Sequence, residues 1–150
     1  MISFEEYLLE NREPVKWKTD DNEHIHKTNV DGKRVTVYVA KHYHNNVNGP
    51  QVTQHSVRFE VSGDMDKKKK VDPNVGKKVL MHVAHAIHSY TNDHVKKGDI
   101  ITMSAYDRDP EVKNAKNNTY QHFARRLAKA RGGSYNVRAG RLMTVHSVHL

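Results

Sequence analysis

Residues 30–43, VDGKRVTVYVAKHY, carry the clearest structural signal in the chain. Asp31-Gly32 is a dipeptide typical of the type I′ turn, which needs positive φ at both central positions. From position 35 to 39, valines alternate with polar residues, as they do along a strand that buries one face. The stretch therefore predicts the turn and second strand of a β-hairpin.

Two further segments complete an antiparallel meander around this hairpin. Residues 15–20 and 23–30 are expected to be extended, which gives the second strand of the hairpin a long partner. NNVNGPQ, residues 45–51, has turn composition and leads into VTQHSVRFEVSG, residues 52–63. There Val57, Phe59 and Val61 alternate with charged residues, so a third strand is predicted.

Two helices are predicted before the second half of the sheet. Ser3 and Glu6 form a capping-box pattern, which predicts a short helix over residues 3–12. Past Pro73, apolar residues recur at helical spacing and predict a long helix from 74 to about 96. These apolar residues are Leu80, Val83, Ala84, Ile87 and Tyr90. Lys96 and Lys97 are expected in its last turn and Gly98 at its end.

The C-terminal third alternates strand, helix and strand. IITMSAY, residues 100–106, predicts a buried strand, and DRDPEVKN, residues 107–114, predicts a loop. Residues 117–133, NNTYQHFARRLAKARGG, predict a helix with an Asn cap and a double-glycine stop. One or two strands around Ala139-Gly140 close the chain. The expected fold is a single α/β (α+β) domain over residues 1–150, ordered α-β-β-β-α-β-α-β(β), with one mixed, mostly antiparallel sheet and helices packed on it.

Composition excludes several classes of site. The 150 residues include no cysteine, which rules out disulfides, thiolate zinc sites and cysteine nucleophiles. No apolar run approaches the roughly 18 residues of a membrane span, and the first residues lack the pattern of a signal peptide. These features lead us to expect a soluble intracellular protein with no membrane partner.

The formal charge of +8 points to an anionic partner, such as a phosphorylated cofactor, a nucleic acid or an acidic protein surface. Aromatic residues make up only 7% of the chain. They do not interleave with the lysines as in a base-stacking platform. Charge alone leaves these partners open.

The twelve histidines raise the question of a metal centre. A turn at Asp31-Gly32 makes paired positions sum to 63, so His24 faces Val39 and His26 faces Val37. The pair His42/His44 then lies further from the turn and does not converge with His24/His26. His82, His85 and His88 share a helix, but no carboxylate stands at ligand spacing among them and no HExxH motif occurs. We therefore expect no metal site.

Other catalytic motifs are also missing. HKT at 26–28 fits half of a two-histidine phosphodiesterase, but the second half does not occur at the required spacing. The chain has no G-x-S-x-G elbow and no Walker or Rossmann glycine pattern.

The predicted order of elements resembles the GNAT N-acetyltransferase superfamily over roughly residues 15–150. Residues 99–133, DIITMSAYDRDPEVKNAKNNTYQHFARRLAKARGG, resemble small GNAT-like proteins of tailed bacteriophages. This resemblance implies a strand that splays from its neighbour, with acetyl-CoA in the gap and its pyrophosphate at a helix N-terminus. A phage origin in turn implies the host cytoplasm or the virion as the location.

On this chain the implied pyrophosphate loop is VDPNVGK, residues 71–77. The resemblance assigns cofactor binding to five consecutive residues: Asn74, Val75, Gly76, Lys77 and Lys78. The family pattern has two glycines and a Gln or Arg here, whereas this chain has only Gly76, so the loop is degenerate. The lysine run at 67–70 would supply positive charge in place of a fitted cradle.

The resemblance also implies the catalytic groups. Tyr120 on the second helix would be the acid that protonates the leaving thiolate, and Glu60 on the third strand would be the base. Each has a structural alternative. Tyr120 also belongs to the apolar stripe with Phe123 and Leu127, and Glu60 suits a solvated strand position. A non-catalytic GNAT-like phage protein, either a virion component or a basic macromolecule-binding protein, stays open beside the acetyltransferase.

Overall fold

The computed structural model describes residues 15–44, 49, 51–62, 73–105, 110–141 and 143–150. Side chains are described for the same residues except 73–77 and 111–112. The predicted helix at 3–12, most of the turn at 45–51 and the lysine run at 67–70 lie outside these ranges.

The described residues form strands and helices in the predicted order. The strands are β1 (Lys18–Asp20), β2 (Glu23–Val30), β3 (Lys33–His44), β4 (Val52–Ser62), β5 (Ile100–Ala105), β6 (Ser134–Ala139) and β7 (Thr144–His149). The helices are α1 (Pro73–His94) between β4 and β5, and α2 (Pro110–Arg131) between β5 and β6.

All the strands belong to one sheet in the order β1-β2-β3-β4-β5-β7-β6. Neighbouring strands are antiparallel except for β4 and β5, which run parallel and are joined by α1. This confirms the predicted α/β class with a mixed, mostly antiparallel sheet.

The predicted hairpin is confirmed in detail. Asp31 has φ of 48° and Gly32 has φ of 81°. Both are the positive values that a type I′ turn needs. His24 pairs with Val39 and His26 with Val37, so the register is the one expected from the turn position.

Both helices pack on the same face of the sheet. Tyr90 of α1 contacts His55, and Tyr120 of α2 contacts Phe59. His55 and Phe59 are four residues apart on β4 and therefore point to the same side. We call this side the helix face and the opposite side the open face. The core between helices and sheet includes the predicted stripes of α1 and α2, with Leu80 only partly buried at its margin.

Two helix boundaries were predicted wrongly. The first helix ends at His94, so Lys96 and Lys97 lie in the turn after it, and Gly98 has φ of 95° within that turn. The second helix begins at Pro110 rather than near 117, so the last five residues of the predicted loop are helical. Pro110 occupies the first helical position, where proline's fixed φ and missing N–H are tolerated.

The double glycine that ends α2 has two separate functions. Gly132 adopts φ of 70°, and the Gly133 amide donates to Ala128 O at 2.9 Å. A positive φ of this kind is typical of a helix-terminating glycine. A Cβ on Gly133 would collide with the carbonyl oxygen of His149, so this position admits no side chain without movement of β7.

The C-terminus of α1 is capped by a side chain from α2. Arg131 Nη1 donates to Val95 O at 3.0 Å, and Nη2 donates to Thr91 O at 3.0 Å. These carbonyls lie at the end of the helix, where intrahelical donors run out beyond Thr91, whose oxygen also accepts from the Val95 amide at 3.2 Å. A cation at this end also opposes the helix dipole. Arg131 thus supplies the positive charge at the end of α1 that was expected from Lys96 and Lys97.

Replacing Arg131 with Ala should lower the free energy of unfolding by about 2–3 kcal/mol, because two charge-assisted hydrogen bonds are lost at once. Urea unfolding followed by circular dichroism measures this loss. Lys129, an exposed residue in the same last turn, provides the matched control. Lys129→Ala should change the stability by no more than about 0.5 kcal/mol, as is usual at the surface. Equal effects of the two substitutions would contradict the capping role.

Candidate functional site

The pairing between the two parallel strands ends before either strand does, and the unpaired stretch is the candidate site. The β4–β5 ladder runs from Gln54↔Ile100 to Val57↔Met103 and pairs no later residue of either described strand. Both strands nevertheless continue. β4 stays paired with β3 as far as Ser62, and β5 stays paired with β7 as far as Ala105. Beyond the ladder, and among the described residues, each strand is paired on its outer side only, and we call the stretch between their unpaired edges the wedge.

The wedge opens toward the start of α1. Beyond the ladder, β4 runs on to Ser62, which pairs with Arg34 just after the β2–β3 turn. Lys78, in the second turn of α1, places its Nζ 3.0 Å from Oδ2 of Asp31 in that same β2–β3 turn. The first turns of α1 and the open end of the wedge therefore lie at the same end of the sheet.

Tyr120 lies on the helix face beside the wedge. Its ring packs edge-on against Phe59 of β4, with 5.8 Å between the ring centroids, and its centroid lies 6.1 Å from that of His146. Only 1% of Tyr120 is exposed, and burial raises the pKa of its hydroxyl well above the ordinary value. Lys116, one turn earlier on α2, holds Nζ 5.2 Å from the Phe59 centroid. The predicted acid thus occupies both a core position and a position next to the wedge.

Glu60 lies on the open face and does not come together with Tyr120. Its carboxylate accepts from Arg58 Nη1 at 3.0 Å and from the Tyr38 hydroxyl at 3.3 Å, and 61% of the side chain is exposed. The Arg58 guanidinium also stacks 3.9 Å from the Tyr38 ring centroid. The two predicted catalytic residues therefore flank β4 beyond its last pair with β5, from opposite faces of the sheet.

The residues assigned to the pyrophosphate form the beginning of α1. Asn74, Val75, Gly76 and Lys77 are helical, and the first turn contains no acidic residue. By helix geometry the N–H groups of the first turn have no intrahelical acceptor, and Pro73 contributes none. Lys78 is more than half exposed but is paired with Asp31.

His55 forms a buried relay on the helix face at the closed end of the wedge. The side chain is fully buried, and Nδ1 lies 2.8 Å from the Tyr90 hydroxyl while Nε2 lies 3.0 Å from Oδ2 of Asp99. Burial lowers the pKa of His55, and this outweighs the Asp99 carboxylate, which raises it. The neutral ring therefore donates from Nε2 to Asp99 and accepts the Tyr90 proton at Nδ1.

His146 forms a second relay of the same kind, nearer to Tyr120. Its Nδ1 lies 2.7 Å from the Tyr135 hydroxyl, and its Nε2 lies 3.0 Å from Oδ1 of Asn117. Burial lowers the pKa of His146 as well. A neutral ring accepts from Tyr135 and donates to Asn117, so this relay ties β6, β7 and α2 together behind Tyr120.

Neither relay was predicted from the sequence, although a signal for both exists. His55 continues the inward alternation of Val57 and Phe59, and His146 alternates with the buried Val148. A histidine at an apolar-facing strand position requires buried hydrogen-bond partners. That requirement indicates a relay, but its partners lie on elements 11 to 44 residues away in sequence.

Comparison of the chain with models of known protein families, with curated proteins and with solved structures finds no match. Neither of the described helices is long and apolar enough to cross a membrane. Among the described residues, no three histidine or acidic side chains come together as metal ligands.

Stability should fall as the pH drops below about 6.5, because burial lowers the pKa of several histidines in the folded protein. These are His24, His55, His88, His94 and His146. At a pH between the lowered pKa of the folded state and the ordinary pKa of the unfolded state, such a histidine is protonated only in the unfolded chain. The unfolded chain then binds more protons, so unfolding becomes more favourable as the pH falls. Each proton taken up on unfolding contributes up to about 1.4 kcal/mol per pH unit. Urea midpoints measured from pH 5 to 8 give this slope.

His55→Gln should flatten that slope, since it removes the most buried of these imidazoles while keeping a hydrogen-bonding side chain. His42→Gln at an exposed position on β3 is the control and should leave the slope unchanged, because its side chain meets water in both states. A stability that stays constant from pH 8 to pH 5 would contradict the neutral-relay interpretation.

Proposed function

We propose that the chain is a GNAT-like protein that transfers an acetyl group from acetyl-CoA to a primary amine. The observation that carries the proposal is the wedge between β4 and β5, which has a tyrosine beside it and a helix N-terminus at its open end. These are the three features that the resemblance to the GNAT superfamily leads one to expect.

The described residues fit an extended thioester substrate. Beyond Val57, β4 has no ladder partner on the β5 side among the described residues, and its backbone groups there would pair with an extended chain entering the wedge. Strand-like addition of a ligand to such an edge is a common recognition mode. The N–H groups of Asn74 and Val75 point out of the start of α1, where a pyrophosphate is favoured by the helix dipole. The first helical turn contains no acidic residue, and Asp72 directly precedes it in the sequence.

Acetyl-CoA supplies the acetyl group as an activated thioester. The acceptor amine reaches the wedge from the open face, where Glu60 takes the proton of its ammonium form. The amine nitrogen then forms the new bond to the acetyl carbon as the carbon–sulfur bond breaks, and it loses its second proton to solvent, which leaves the neutral amide. On the helix face, Tyr120 gives its hydroxyl proton to the departing sulfur, and solvent restores the proton on Tyr120.

The burial of Tyr120 is compatible with its role as acid. Burial keeps the hydroxyl protonated at neutral pH, because it raises the pKa of the phenol. Desolvation in the same low-dielectric gap also raises the pKa of the leaving thiol. This brings the pKa of the thiol closer to that of the Tyr120 hydroxyl. Phe59 closes the helix side of the wedge over the Tyr120 ring, so the sulfur must arrive next to Phe59.

Acetyl-CoA should bind and stabilise the protein. At a concentration 100 times its Kd, a ligand specific for the folded state adds about 2.7 kcal/mol to the free energy of unfolding. Calorimetry gives the affinity, and thermal denaturation gives the stabilisation. Lys78→Gln should weaken binding of acetyl-CoA, whereas Lys97→Gln, an exposed lysine beyond the far end of α1, should not. If saturating acetyl-CoA produces neither heat nor stabilisation, the acetyltransferase proposal is wrong.

Tyr120→Phe should lower kcat by about 100-fold or more while leaving the Kd for acetyl-CoA within about twofold, because only the proton donor is removed. Thiol release from acetyl-CoA with spermidine or a lysine-containing peptide as acceptor measures turnover. Tyr43→Phe, at an exposed position on β3, is the matched control. Wild-type turnover by Tyr120→Phe would show that this residue has only its packing role.

A further inference from the structure

The net positive charge of the chain is concentrated in its C-terminal part. Residues 1–111 contain 17 lysines and arginines and 17 acidic residues, so their formal charges cancel. Residues 112–150 contain eight lysines and arginines and no acidic residue, so they carry the whole net charge of +8. This part comprises most of α2 together with β6 and β7. Such an asymmetry indicates that α2, β6 and β7 face an acidic partner.

The strand β6 is the edge of the sheet in this basic part. It comes last in the strand order and pairs with β7 alone among the described strands. Its six residues include one charged residue, Arg138, and five of the six are exposed. The opposite edge strand, β1, has only three residues, and Lys18 and Asp20 are charged. Short length and charged side chains protect a sheet edge from pairing with another chain. By this measure β6 is the less protected edge.

The direction of the backbone groups of β6 follows from its turn. The Gly140 amide donates to Met143 O at 2.8 Å, and these two positions continue the β6–β7 register. In an antiparallel ladder, pairs that exchange hydrogen bonds alternate with pairs that do not. Counting back from Gly140, the residues of β6 that bond to β7 are Arg138, Asn136 and Ser134.

The residues between them direct their N–H and C=O groups away from β7. These residues are Tyr135, Val137 and Ala139. No described backbone group outside β6 lies opposite them. We call these three donors and three acceptors the β6 edge. They recur every second residue, about 7 Å apart, which is the spacing at which an extended peptide presents its own backbone groups.

The side chains along the β6 edge are apolar on one face and basic on both sides. Val137 pairs with His146, which lies on the helix face, and is 49% exposed there. Arg138 is exposed on the open face. From α2, the Arg125 guanidinium lies 5.9 Å from the ring centroid of Tyr135. Neither arginine has an acidic partner among the described side chains. The β6 edge therefore suits a strand that combines apolar residues with carboxylates.

We infer that the β6 edge binds an extended peptide segment of a partner protein in which acidic and apolar residues alternate. The peptide adds a strand to the sheet and bonds to the outward backbone groups of β6. Its apolar side chains cover Val137 on the helix face, and its carboxylates approach Arg138 on the open face. A second copy of this chain is a poorer occupant, because it would bring its own basic C-terminal part against the first. This binding is independent of acetyl transfer, since the β6 edge and the wedge share no residue.

The first experiment uses the full chain and a fluorescein-labelled octapeptide of alternating glutamate and valine. Its anisotropy should report binding that weakens as salt is added. Two matched probes separate charge from strand pairing. A peptide of alternating lysine and valine tests the charge. The glutamate–valine peptide N-methylated at two successive central residues keeps its charge but cannot pair along either of its edges. Each of these two probes should bind at least about 10-fold more weakly.

The second experiment changes the protein at Val137. The outward N–H of this residue does not bond to β7, so Val137→Pro should leave the β6–β7 ladder intact, and circular dichroism checks that the variant is folded. It should bind the glutamate–valine peptide at least about 10-fold more weakly, because one donor is lost and the proline ring occupies the edge. Val137→Thr is the matched control. It keeps the N–H and a β-branched side chain, so its affinity should stay within about threefold of the wild type.

Amide hydrogen exchange measured by NMR gives the position of the peptide on the unaltered protein. The amides of Tyr135, Val137 and Ala139 should exchange at least about 10-fold more slowly when the peptide is bound. The amides of Asn136 and Arg138 already bond to β7 and should change little.

Three results would overturn the inference. The first is equal binding of the glutamate–valine peptide and its N-methylated form, which would indicate attraction by charge alone. The second is wild-type affinity in folded Val137→Pro. The third is a dimer, seen by sedimentation velocity, that Val137→Pro dissociates, which would show that a second copy occupies the β6 edge. Val137→Pro should bind acetyl-CoA as the wild type does, so failure here is separable from failure of the acetyltransferase proposal.

Discussion

The burial of His55 at the junction of the two parallel strands is the constraint on which the rest of the structure depends. The ladder between β4 and β5 has only four residue pairs, and it joins the β1–β4 meander to the β5-β7-β6 half of the sheet. A buried imidazole is tolerated only when both nitrogens are hydrogen-bonded. Tyr90 satisfies one nitrogen from α1, and Asp99 satisfies the other from the turn before β5. The His55 side chain thus links β4, on which it lies, to α1 and to the turn that leads into β5.

Further contacts hold the paired end of β4 and β5 together. Asp99 also accepts from the Lys96 amide at 3.0 Å, and Arg131 caps the adjacent helix end, so the C-terminus of α1 is held at the closed end of the wedge. On the open face, the hydroxyls of Ser56 and Thr102 lie 3.1 Å apart across the ladder. Past these contacts, Phe59 and Tyr120 pack edge-on against each other on the helix face.

The two faces of the sheet offer different chemistry. The helix face buries Tyr120 and both neutral histidine relays, so its chemistry is that of uncharged proton donors and acceptors. The open face carries the ion pair of Glu60 with Arg58. The acetyl-transfer proposal uses both faces, because the wedge passes between them.

The sequence by itself determined the elements whose signals are local. The Asp31-Gly32 turn and the valine alternation specified the hairpin and its register. Only one register is compatible with both the position of the turn and the alternation of buried and exposed residues. Helical spacing from Leu80 to Tyr90 and from Tyr120 to Leu127 specified the buried stripes. The sequence determined the helix ends less well. Pro110 begins α2 because proline is tolerated at the first helical position, and Arg131 caps the end of α1 from a different helix. Only the tertiary structure decided that β4 and β5 part after Val57, that Glu60 and Tyr120 lie on opposite faces, and that His55 and His146 are relays. Those features depend on contacts between residues far apart in sequence, and no local pattern encodes which partner a buried imidazole will find.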